Sequence, residues 1–108
     1  MVNTDKIVSK LREGNIESII EGLVELGKLK DPSVVDEVIK FANDSNERVR
    51  TQVAICLGEL EDISAGKTLL KLSLDEDDAV RMEAAQALGI LGSKGFREAK
   101  LPLEKLIV

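Results

Sequence analysis

The sequence predicts an all-α domain built from stacked copies of one small helical unit. Three observations carry this. The string Asp44-Ser-Asn-Glu-Arg-Val-Arg-Thr-Gln-Val-Ala-Ile-Cys-Leu-Gly-Glu-Leu60 returns 31 residues later as Asp75-Glu-Asp-Asp-Ala-Val-Arg-Met-Glu-Ala-Ala-Gln-Ala-Leu-Gly-Ile-Leu91. The same spacing links Leu26-Gly27 to Leu57-Gly58, and Leu29 to Leu60. It also links Val8, Ile39, Leu70 and Leu101 in one ladder, and Ile7, Val38 and Leu69 in another that breaks at Lys100. Ala, Glu, Lys and Leu dominate, and no segment alternates apolar and polar residues as a strand would. A period of this length marks helical units that bury surface against their neighbours. The expectation is seven helices in about three and a half 31-residue repeats.

The elements follow in order. Ile7, Val8 and Leu11 share one face of a short first helix, capped by Thr4 or Asp5 and ended by Gly14. Asn15 caps a second helix, from about Ile16 to Lys28. Asp31-Pro32 breaks the chain and places Pro in the first turn of a third helix, which runs to about Asn43. The fourth, from about Asn46 to Leu60, carries a carboxylate in its first turn, where it complements the helix dipole. The fifth spans about Ser64 to Leu74 and the sixth about Asp77 to Leu91. Gly92-Ser-Lys-Gly95 then reads as a turn before a last helix. That last unit departs from register. Ala99, Leu103 and Leu106 align with Ala65, Leu69 and Leu72 only if about three residues are inserted around Ser93–Arg97.

Composition sets the limits. The 108 residues suit one domain, 1–108, with 44% apolar and 32% charged residues. Two Phe and no Trp or Tyr leave an aliphatic core. Fifteen Lys plus Arg against 20 Asp plus Glu give a net charge of −5. That argues against nucleic acid and against an anionic membrane surface, both of which recruit cations. There is no histidine, hence no imidazole base or ligand, and one cysteine allows no internal disulfide. No apolar run approaches the roughly 20 residues of a membrane span, and the start lacks the features of a signal peptide. A cytoplasmic protein without a cofactor is expected.

The pattern Asp, a few polar residues, then Val-Arg-x-x-Ala/Val-Ala-x-x-Leu-Gly-x-Leu resembles HEAT and HEAT-like (PBS-lyase-type) repeats. Asp44–Leu60 and Asp75–Leu91 match it closely. Residues 15–29 match it weakly, with Ile19 in place of the Arg and Glu13 in place of the Asp. The resemblance implies a right-handed α-α superhelix. It further implies that Asp44 with Asp75, and Arg50 with Arg81, form a ladder between units; the alternative is an Arg that binds an anionic ligand. The physical reading agrees with stacking. Val49, Val53, Cys56, Leu57 and Leu60 share one face, as do Val80, Ala84, Ala87, Leu88 and Leu91. Ala54, Gly58, Ala85 and Gly89 lie toward a second, where small residues let another helix approach.

Three strings with a chemical look have plainer readings. Ala65-Gly66-Lys67-Thr68 lacks the upstream Gly of a phosphate loop, where Glu61 stands instead. Asp75-Glu76-Asp77-Asp78 lacks the central Gly and ligand spacing of a calcium loop and reads as a helix cap. Cys56, at the centre of an apolar face, reads as core.

What remains is a surface. The resemblance places helices of the Val-Arg type on the concave side of the stack. Their outward residues are Glu17, Glu21 and Val24 in the first unit, and Arg48, Gln52, Ile55 and Glu59 in the second. The third presents Ala79, Glu83, Gln86 and Ile90, with Met82 beside them. Aliphatics rimmed by polar residues suit a protein or peptide partner. The terminal segment Leu101–Val108 either covers the final core or docks onto a second copy, making a homodimer. The function expected is a non-enzymatic interaction scaffold or adaptor.

Two other classes compete. Lyase-type relatives suggest an accessory subunit of an enzyme complex. HEAT-like hydroxylases need His-Glu metal pairs, which a chain without histidine cannot supply. HEAT-like DNA glycosylases use aromatic and basic groove residues, whereas this groove is slightly acidic and has neither Trp nor Tyr.

Overall fold

The computed structural model describes residues 4–97, and these form six α-helices and two 3-10 turns with no strand among them. The helices are α1 (Thr4–Leu11), α2 (Ile16–Leu29), α3 (Val35–Ile39), α4 (Glu47–Leu60), α5 (Gly66–Leu72) and α6 (Asp78–Ser93). The last expected helix, with Ala99, Leu101, Leu103 and Leu106, lies outside the described residues.

Short polar side chains start the long helices. The Asn15 side chain accepts from the Ser18 N–H at 2.9 Å, and Asn46 accepts from Arg48 N–H at 2.8 Å. Asp77 accepts from both Ala79 and Val80. Each bond satisfies an N–H that has no partner within the helix. The C-terminal ends are shared as well. Lys30 and Glu61, 31 residues apart, both close their helices in the left-handed conformation, with φ of 53° and 57°. Asp31 and Asp62 follow and accept from the Ser33 and Ser64 N–H groups, which folds the next residues into 3-10 turns, Pro32–Val34 and Ile63–Ala65.

Those turns correct the expected outer helices. The segment after Pro32 is α-helical only over Val35–Ile39, and Phe41 and Ala42 then bond back three residues, to Val38 and Ile39. Likewise α5 begins at Gly66, not Ser64, and ends at Leu72. At the other end α6 runs through Gly92 to Ser93, past the expected stop at Leu91. The turn comes at Lys94 and Gly95, whose φ is +108°.

Two layers result. The long helices α2, α4 and α6 lie side by side, α4 in the middle, and the short α1, α3 and α5 pack against α2, α4 and α6 in turn. Leu23, Leu26, Val38, Val49, Val53, Leu57, Leu69, Val80, Leu88 and Leu91 are fully buried between the layers. Burying a side chain of this size contributes about 1.5–3 kcal/mol; the expected ladder Ile7, Val38 and Leu69 is core, whereas Val8, Ile39 and Leu70 of the other pack half-buried against its edge.

Candidate functional site

Close approach within the long-helix layer depends on absent Cβ atoms. A Cβ on Gly27 would lie 2.7 Å from Glu59 Oε1 and 3.5 Å from Cys56 Cα of α4. A Cβ on Gly58 would lie 2.9 Å from Ala87 Cβ of α6. α2 and α4 thus each turn a glycine toward the next long helix.

One complete rung ties two units together. Arg50 donates from Nε to Asp75 Oδ2 at 2.9 Å and from Nη2 to Asp75 Oδ1 at 3.1 Å, while Nη1 donates to the Asp44 carbonyl at 2.8 Å. Both side chains are only 11% exposed. A bidentate fork of this kind is the geometry Arg suits best. Every terminal nitrogen of Arg50 is engaged within the chain, so the rung is structural. The Asp75 bond raises the Arg50 pKa further. Burial alone would push Asp75 up, but the bonds from Arg50 and from the Asp77 N–H outweigh it and hold the carboxyl below its usual range.

Asp44 and Arg81 make different contacts from those the ladder implies. The Asp44 carboxylate accepts from the Asn46 N–H in its own turn, and the unit before it offers Ile19 where an Arg would stand. Arg81 keeps the carbonyl contact, Nη1 to Asp75 O at 2.7 Å, but pairs its other nitrogen with Asp78 of its own helix and is 40% exposed. Beside the Arg50 rung lies an open cavity of about 570 Å³, lined by Asp44, Arg50, Lys71, Asp75 and Glu76 among others.

The remaining strings resolve into structure. Gly66 is buried under Phe96, whose ring would overlap a Cβ there. The close approach of that ring explains the glycine in Ala65-Gly66-Lys67-Thr68. Asp75 and Asp77 are occupied as caps and as the rung. Cys56 is fully buried, and burial, then the Glu59 charge, push its thiol up to about 12. A thiol in that state is no nucleophile.

The predicted partner-binding residues lie on the three long helices. Glu17, Glu21, Arg48, Met82, Gln86 and Ile90 are exposed, Met82 at 56% and Ile90 at 39%. Val24, Gln52, Ile55 and Glu83 are half-buried. Arg48 crosses to α2, its Nη1 3.0 Å from Glu17 Oε1, and so joins residues 31 apart. Lys10 holds Glu21 at 3.6 Å. Glu59 departs from expectation. It is half-buried and folds into the gap at Gly27, so it fills the seam between α2 and α4. Two residues were missed. Ile20 and Thr51 line a recess of about 390 Å³ with Arg48, Gln52 and Ala79. They stand at 31-residue steps below Met82, the signal that would have found them. No described helix is long and apolar enough to cross a membrane.

The family model described as HEAT repeats matches residues 4–89, which covers all six helices down to Gly89. No curated protein matches the chain.

Proposed function

The chain belongs to the HEAT-repeat family, and on that premise we propose that it is a non-enzymatic scaffold that binds a protein or peptide on the exposed face of α2, α4 and α6. The observation that supports this most is the layer itself. Three helices packed side by side carry Val24, Ile55, Met82 and Ile90, none of them fully buried, among the polar Glu17, Glu21, Arg48, Glu83 and Gln86. A preformed surface loses little freedom on binding, and HEAT repeats commonly mediate protein–protein interaction. We read the stack as right-handed, with this face concave. The net charge of −5 favours a protein over a nucleic acid. A single buried cysteine fits a reducing compartment, and we place the protein in the cytoplasm.

The test is affinity capture from native lysate with wild type beside Ile90→Asp and Gln86→Arg, each checked for an unchanged helical spectrum. Gln86 is exposed, so its replacement leaves the core alone. Both variants are expected to lose most of the captured partner. Normal capture by both folded variants would overturn the assignment of this face.

A further inference from the structure

One column of the repeat carries a long side chain in two copies and a methyl group in the third. Glu17, Arg48 and Ala79 stand 31 residues apart. Arg48 reaches from α4 to α2 and pairs with Glu17 at 3.0 Å. Ala79 makes no such reach from α6 to α4, and the recess of about 390 Å³ lies there, between the starts of the two helices. Ile20, Thr51 and Ala79 line it, with Glu47 on the α4 side and Asp77 on the α6 side.

The lining is spent on donors and open on acceptors. Asn46 takes the Arg48 N–H at 2.8 Å, and Asp77 takes those of Ala79 and Val80 at 2.9 and 3.2 Å. The Thr51 hydroxyl donates to the Glu47 carbonyl at 2.7 Å. Arg48, the one cation of the lining, is held by Glu17. Asp77 uses a single oxygen, Oδ1, for both cap bonds. Among the described residues its Oδ2 accepts no hydrogen bond, and the exposed Glu47 carboxylate makes no salt bridge. Arg50 acts on Asp77 through its charge, but its fork is closed on Asp75. The charge of Asp77 also exceeds what the turn requires. The two earlier copies cap with the neutral Asn15 and Asn46, and Asn caps a helix as well as Asp does.

We propose, resting on the assignment of this face to a protein partner, that the recess receives a lysine or arginine side chain and that the partner's docking segment is therefore basic. The aliphatic stem lies along Ile20, Thr51 and Ala79, and the charged head meets Glu47 and Asp77. Long cationic side chains divide themselves in this way at apolar surfaces. Three carboxylates, Glu17, Glu47 and Asp77, stand against the single guanidinium of Arg48, so the recess is net negative. Such complementarity selects the partner's charge and speeds encounter more than it adds raw affinity. Binding is accordingly expected to weaken as salt rises.

The experiment selects a random library of short peptides on the immobilised full chain. The peptides recovered are expected to share one Lys or Arg beside apolar residues. Exchange of that residue for norleucine, which keeps a stem without the charge, is expected to weaken binding at least tenfold. Asp77→Asn keeps the cap and Glu47→Gln changes an exposed side chain, so the double variant keeps the helical spectrum while binding the peptide at least tenfold more weakly. Ala79→Arg sets the chain's own cation in the recess and is expected to block the peptide. Recovered peptides that lack a basic residue, yet are lost with Ile90→Asp, would overturn the basic-segment proposal and leave the binding face standing. Basic peptides that bind the double variant as tightly as wild type would overturn the recess as their site. No peptide recovered above a blank surface would overturn both readings.

Discussion

The helices α4 and α6 carry nearly the same string of residues in different surroundings. α4 has a long helix on either side; α6 has one long helix beside it among the described residues. Arg50 of α4 reaches the Asp of the following unit with both arms of its fork, whereas Arg81 of α6 turns back to Asp78. Gly58 is pressed by Ala87, whereas the equivalent space at Gly89 is open among the described residues. The same letter is therefore a structural necessity in one copy and close to free in the other. What decides is the neighbour, not the motif.

The comparison breaks first at the arginines. Arg50→Ala strands Asp75, 11% exposed, without its partner. Loss of one member of a buried pair costs about 3 kcal/mol. Arg81→Ala removes a largely exposed pair with Asp78 and one carbonyl bond, for about 1 kcal/mol or less. Urea denaturation of the two variants measures the gap, and equal losses would mean that the rung is not what joins the units. The alanines come next. Ala54→Leu drives extra methyl groups into a closed seam and is expected to cost about 1–3 kcal/mol. Ala85→Leu, on the open face, is expected to change stability by less than about 0.5 kcal/mol.

A smaller effect is a pH dependence. The folded carboxyl of Asp75 is held below its ordinary value, near 3.9 in an unfolded chain. Its contribution is complete above that ordinary value and is lost as pH falls below about 4, through the depressed one. Asp75→Asn is expected to be less stable at neutral pH and to lose less on acidification. Acid titrations followed by circular dichroism, with parallel limbs for both proteins, would contradict this.

Much of the fold was legible because its signals are local. Asn15, Asn46 and Asp77 cap helices through bonds to residues two or three positions on, and the ladder Ile7, Val38 and Leu69 is core, with Val8, Ile39 and Leu70 packed half-buried beside it. The outer helices were overread. Asp31 and Asp62 close 3-10 turns, and Phe41 and Ala42 turn the chain by bonds three residues long; an apolar period alone does not distinguish these from α-helix. The candidate face was legible by angle but not by fit. Glu59 points outward on a wheel, yet the missing Cβ of Gly27 on another helix makes room for it in the seam. Ile20 and Thr51 escaped notice for the converse reason. Each is unremarkable on its own helix, and they form a column only when the helices are set side by side.

The central claim, that neighbours and not letters set the role of each repeated residue, rests most directly on the two glycines. Thermal unfolding of Gly58→Ala and Gly89→Ala in dilute solution decides it. Alanine is worth up to about 1 kcal/mol over glycine within a helix. At Gly89 that gain stands alone, and the melting temperature is expected to rise. At Gly58 the new Cβ meets Ala87 Cβ at 2.9 Å and its Cα at 3.2 Å, and the melting temperature is expected to fall. A shift of the same sign and size at both positions would contradict the account.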